Sequence, residues 1–405
     1  MNRHARTTSL LLATIVVAGA CANDAVMAPA SVTLRPALSA STSLPAEAPW
    51  AEVIVGETGP GSMYELRMPR NWTTRSVVYY EHGFNDPTDA LALPFKENIE
   101  ATFKVLGEKG YAIAASSFSE NGFAVKDGMQ RTHQLRGLFT SRFGRAEKSY
   151  LMGHSLGGAI VVALAEKYPN QYDGALAMCG MVGGSQLQID YLGNVRAAFD
   201  AIYPGVLRGT AVDIPADLTR QEVETKATQA MSANPLGALA LARLLPLPAD
   251  APLSSVPAQI GGVVAALSFH VRGGRDVIDH TQGHNAFDNT TTVYGGGFGP
   301  YGADFFNATI ARFTASPDAR NYLEHWFEPT GDLRIPVLTL HTMWDPAVPT
   351  AHERKLASVV NAAGRGEMLR QNTGALTNAF NHCGFGTAEV VSNFEQLVAW
   401  VASLQ

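Results

Sequence analysis

Three cysteines among 405 residues are too few for a scaffold held together by many disulfides. Positive charge is not in excess either: 30 Lys and Arg stand against 36 Asp and Glu, a net charge of −6. No basic cluster interrupts that balance, so there is no electrostatic reason to bind nucleic acid or an anionic lipid surface. No repeat of fixed period is visible. The apolar stretch from Leu10 to Val17 is too short to span a bilayer. Hydrophobic residues make up 46% of the chain and charged ones 16%, an ordinary balance for a globular enzyme. The length allows one large α/β domain with an insertion, or two domains.

The short apolar stretch has another use. It follows the positive start Arg3, His4 and Arg6, and so has the shape of a secretory signal. Ala18-Gly19-Ala20 then precedes Cys21. Small residues ending in cysteine resemble a bacterial lipobox, in which the cysteine becomes the first residue and is acylated. The alternative is plain signal cleavage after Ala20. Residues 1–21 therefore read as a signal peptide of lipoprotein type and residues 22–49, rich in Ala, Ser, Thr and Pro, as a flexible linker. The expected location is outside the cytoplasm: periplasmic, lipid-anchored to the cell envelope, or secreted.

Gly153-His154-Ser155-Leu156-Gly157-Gly158 carries the chemistry. It follows the apolar run Ser149 to Met152 and precedes a helical stretch from Ala159. A G-x-S-x-G between strand and helix presents its serine at the tip of a sharp turn, with the helix N-terminus beside it for a developing oxyanion. A nucleophilic serine needs a base, and the base needs a group to orient it. Ile335 to His341 reads as a buried strand, and Asp345 lies in the loop leaving it. His382 sits in the glycine-flanked loop Asn381 to Gly386, ahead of a final helix. An earlier strand, Val77 to Glu81, runs into His82-Gly83-Phe84. That loop supplies the expected second oxyanion donor, the Phe84 N–H, beside that of Leu156; His82 reads as a buried structural histidine.

Together these residues resemble the α/β-hydrolase superfamily, in its serine esterase and lipase branch, over about 51–179 and 333–405. The resemblance implies a Ser155–His382–Asp345 triad with Phe84 and Leu156 as oxyanion donors. It implies hydrolysis of carboxylic esters through an acyl-enzyme, with no metal or organic cofactor. A small-molecule or polymeric ester would be the partner, and any membrane contact would come only through the N-terminal lipid. The loop after the next strand adds pocket residues in such proteins, so Glu120 and Asn121 are expected there, and Trp344 beside the acid. An exopeptidase or amidase on the same triad is the alternative, with Glu120 as an amine-binding residue. A binding protein without catalysis is a further one.

Strands and helices alternate along the chain: strand 77–82, helix 91–109, strand 111–117, helix 126–143, strand 148–153, helix 156–168, strand 174–179. This predicts a mostly parallel central sheet with helices on both faces, an α/β class. The core is expected at 50–180 and 332–405. Residues 181–331 break the pattern and read as a largely helical cap inserted after the sixth strand. Within it His280 and His284 stand four apart, but Gly273, Gly274 and Gly283 argue against the helix that a zinc pair would need. With Cys21 used in export, Cys179 and Cys383 remain as a disulfide candidate on the catalytic side of the sheet, or as two buried thiols.

Overall fold

A computed structural model describes residues 48–404, apart from 60, 95–96, 245–254 and 375–380. The signal peptide, Cys21 and nearly all of the linker lie outside the described residues. Uninterrupted apolar runs make strands that are covered on both faces. β3 (Ser76–Glu81), β4 (Ala112–Ser116), β6 (Gly174–Met178) and β7 (Val337–His341) are buried along their whole length. With β1 (Trp50–Glu57), β2 (Met63–Pro69), β5 (Lys148–His154) and the half-exposed β8 (Leu369–Thr373) they form one eight-stranded sheet. Its order is β1-β2-β4-β3-β5-β6-β7-β8. β1 and β2 pair as an antiparallel hairpin, β2 is antiparallel to β4, and every later pair is parallel.

Alternate side chains of each strand feed two cores. Val78 and Tyr80 of β3 join Phe103 and Leu106 of α1 (Glu97–Glu108) and Phe394 and Leu397 of α12 (Thr387–Ser403). Val77 and Tyr79 face the other way, toward α2 (Val125–Phe143), α3 (Leu156–Lys167) and α11 (Ala351–Ala362). The mostly parallel sheet with helices on both faces is therefore present. One boundary differs: the helix expected at 91–109 begins at Glu97. Pro94 disfavours helical backbone in the residue before it, so residues 91–94 stay irregular.

Between β6 and β7 the chain leaves the sheet and builds α4 (Ser185–Ile202), α5 (Arg220–Ala233), α6 (Pro235–Ala242), α7 (Val256–Phe269), α8 (Arg275–His280), α9 (Ala303–Thr309) and α10 (Pro317–His325). Local chemistry sets several starts. Thr219 accepts from the Glu222 N–H at the head of α5, and Asn234 accepts from the Gly237 N–H at α6, with Pro235 just inside. Gly273 and Gly274 do not end the helix, contrary to expectation. They lie in a π-helical turn, His270–Gly274, that joins α7 to α8. Burial of Val271 and Val277 on either side outweighs the low helix propensity of glycine. No described helix is long and apolar enough to cross a membrane.

Candidate active site

Ser155 stands between β5 and α3 with φ of 56°. Its neighbours explain why the motif needs glycine. A Cβ on Gly157 would collide with the Glu81 carbonyl, and one on Gly153 with the Gly157 carbonyl. The serine N–H donates to the Met178 carbonyl at 2.9 Å, which ties the turn to the end of β6.

The Ser155 hydroxyl lies 2.8 Å from His382 Nε2, and His382 Nδ1 lies 2.6 Å from Asp345 Oδ2. A carboxylate can only accept, so Nδ1 carries the proton and Nε2 is left to accept from the serine. Asp345 is buried, and its Oδ1 accepts the N–H groups of Ala347 and Val348, each at 2.9 Å. The Asn381 N–H donates to the Trp344 carbonyl at 3.1 Å, pinning the histidine loop to the acid loop. These three side chains thus come together from three separate parts of the chain.

Cys383, next to the histidine, is disulfide-bonded to Cys179 at the end of β6, with Cα atoms 5.3 Å apart. Both cysteines have positive φ, 45° at Cys179 and 57° at Cys383. The bond spans 204 residues and anchors the loop that presents His382. Reduction should therefore lower the melting temperature, at a cost of about 2–4 kcal/mol, and lower kcat as well. Cys383→Ala should mimic the reductant, with no further loss when the two are combined. Melting curves and rates that dithiothreitol leaves unchanged would count against this role.

Phe84, on the loop after β3, and Leu156, the first residue of α3, both line a cavity at Ser155. Leu156 is in the first turn of its helix, where N–H groups have no helical partner. Gly83 lets that loop come close: a Cβ there would sit 3.1 Å from the Ser155 Cβ. The cavity is narrow, about 50 Å³, and almost wholly apolar. Phe123, Ala347 and Val348 line it together with Met181, Ile189, Leu192, Phe269 and Val277 from the insertion. Phe269 also meets the His382 ring edge-on at 5.7 Å.

Glu120, Asn121 and Trp344 are not among the lining residues. Glu120 is exposed, and its carboxyl is raised by partial burial, with His280 opposing. Asn121 turns its amide to the Asp89 carbonyl at 2.8 Å, and Trp344 is buried beside the acid. Phe118 lies in the core, stacked on the buried His82 at 3.9 Å. His280 ends α8 and stacks on Tyr322. Among the described residues, one cluster has the spacing of metal ligands: Cys179, Cys383 and His382. Its sulfurs are bonded to each other and its imidazole faces Ser155, so it is no metal site.

Other polar residues at the site escaped the sequence reading. His154, inside the motif, is half-buried, with Nδ1 3.1 Å from the Tyr80 hydroxyl. Burial, then the nearby His382, push it down to about 3, so it stays neutral. Burial likewise raises Glu81 to about 8, against its hydrogen bond from Thr132. Gln188 of α4 is the polar side chain of the cavity wall besides Ser155; it donates to the Ala347 carbonyl at 2.8 Å. Nothing in the local sequence around Gln188 signals this, because its partner lies 159 residues away.

The strand order, the serine after β5, the carboxylate after β7 and the histidine ahead of the last helix decide the architecture. The chain has the α/β-hydrolase fold. A family model described as "Putative esterase" matches residues 130–235, a stretch that holds Ser155 and the start of the insertion. No curated protein matches the chain. Among solved structures, an esterase from Aspergillus oryzae is similar at 14% identity and a TM-score of 0.49, covering 87% of this chain and 80% of that one. Feruloyl esterase B from the same organism is similar at 14% identity and 0.45, over 91% and 86%. A mutant of the rice cell wall degrading esterase LipA from Xanthomonas oryzae also gives 14% and 0.45, over 86% and 90%. On this α/β-hydrolase scaffold, residues of the insertion help to line the cavity at Ser155.

Proposed function

We propose that this protein is an exported serine hydrolase that cleaves carboxylic esters with short apolar acyl groups. The observation that carries the reading is the unbroken hydrogen-bonded line from Ser155 through His382 to Asp345, opening on a narrow apolar cavity. Ser155 attacks the acyl carbonyl as His382 takes its proton. Asp345 holds the imidazole in the required tautomer and stabilises the imidazolium. The N–H groups of Phe84 and Leu156 bind the oxyanion, each donor being worth about 3–4 kcal/mol in such chemistry. His382 returns the proton to the leaving alcohol, and water releases the acid. The apolar lining contributed by the insertion keeps bulk water off the acyl-enzyme. The Cys179–Cys383 disulfide supports export, since such bonds persist in oxidising compartments. On this reading residues 1–21 direct export and Cys21 carries the lipid.

A panel of aryl esters of increasing acyl length, with matched amides, tests the substrate class. Acetyl to butyryl esters should be turned over best, with kcat/KM falling at least about tenfold for long chains that exceed the cavity. Amides processed as fast as their esters would overturn the ester assignment.

A further inference from the structure

The acid of the site has a second histidine behind it. His341, the last residue of β7, is buried, and both of its ring nitrogens face acceptors. Nε2 lies 2.8 Å from the Val348 carbonyl and Nδ1 lies 3.1 Å from Glu353 Oε1. A carbonyl oxygen brings no proton, so Nε2 must donate. The Glu353 carboxylate already accepts at its other oxygen from the Thr339 hydroxyl and the Gln371 amide, each at 2.5 Å. Facing an ionised Glu353, Nδ1 donates too. A neutral imidazole has one N–H and cannot satisfy both.

We propose that His341 is a positively charged positioning residue for the Ser155–His382–Asp345 site, on which reading this inference rests. It acts in two ways. First, it stitches the acid loop: Val348 gives its carbonyl to His341 and its N–H to Asp345 Oδ1. Second, its ring stands 4.0 Å from Asp345 Oδ2, the oxygen that holds His382. A cation there opposes a second proton on His382, and so keeps the base free at lower pH.

The groups around His341 agree with this charge. Burial alone would push its imidazole down, but the Glu353 hydrogen bond and charge, then Asp345, outweigh it and hold the ring above its ordinary value. His352, beside Glu353 on α11, is neutral. It accepts the Gly183 N–H at Nδ1 and faces Gln188 Oε1 from Nε2, and burial followed by the charge on His341 pushes it down to about 3. Tyr191 of α4 donates to the Pro346 carbonyl at 2.6 Å, and burial followed by Asp345 keeps it protonated. Glu353 and Asp345 are thus the two carboxylates facing this cation, one on each side.

His341→Gln can keep a donor toward Val348 while removing the charge. Its acidic limb of kcat/KM against pH should move up by about half to one pH unit, with KM unchanged on the alkaline side. A structural role alone would lower the melting temperature and scale the rate at every pH without moving the limb. The folded wild-type protein gives an independent reading, because long-range proton–nitrogen NMR counts ring protons without substrate. At pH 7, His341 should show both nitrogens protonated and His352 only one. A neutral His341, or a folded variant whose limb does not move, overturns the proposal. The ring-proton count holds whether or not Ser155 proves to be the nucleophile, which separates failure here from failure of the ester reading.

Discussion

Ser155→Ala should reduce kcat by about a million-fold while leaving the melting temperature within a degree or two. The hydroxyl that is lost makes one hydrogen bond, to His382, and packs no core. The backbone that shapes the turn is held by the Ser155 N–H and by the flanking glycines, which the substitution leaves in place. Because the three groups act as a unit, His382→Ala should cost about as much, and the double variant little more. A fluorophosphonate probe should add one label to the wild type and none to Ser155→Ala. Near-normal ester turnover by the alanine variant would mean that the nucleophile lies elsewhere. An unlabelled, inactive wild type would favour a binding protein on the same fold.

Asp345→Asn should lower kcat by about ten-thousand-fold, again with little change in stability. The asparagine oxygen can still accept from the Ala347 and Val348 N–H groups, so the loop keeps its shape. The amide nitrogen would then face His382 Nδ1, and two donors cannot pair. The imidazole must switch tautomer, which places a proton on Nε2 where the serine needs an acceptor. A pH profile together with a melting curve separates this from unfolding. A mild loss would point to another acid; Asp190, the next carboxylate in the chain after β6, is not free for that role. Its carboxylate is taken by Arg320 at 2.6 and 3.0 Å, and by the Asp288 N–H at 3.1 Å.

Some features were legible because their causes are local. The glycines of 153–157 are required by contacts within the turn and with the strand beside it. The buried runs at 77–81 and 337–341 read as strands because parallel sheets cover both faces. The chain order of serine, aspartate and histidine follows from which strand ends share one edge of the sheet. The helical pattern predicts a start at residue 91, whereas Pro94 delays the helix to Glu97. The insertion was recognisable as a break in the strand–helix alternation, and as mostly helical from its Ala and Leu content.

What folding added depends on groups far apart in sequence. Ser155 and His382 are separated by 227 positions and Cys179 from Cys383 by 204, so no local pattern could measure the gaps between them. The family resemblance named Glu120, Asn121 and Trp344 for the pocket, but packing lined the cavity with Phe84 and Phe123 and sent Asn121 and Trp344 elsewhere. The same holds for His341. Its identity is plain in the chain, whereas its charge depends on a carbonyl, a carboxylate and a hydrogen-bonded neighbour meeting one ring. Turn sterics and hydrophobic periodicity act between neighbours along the backbone, and so are written in sequence. Cavity shape and protonation state are sums over contacts between distant segments, which exist only once the sheet and its insertion have packed together.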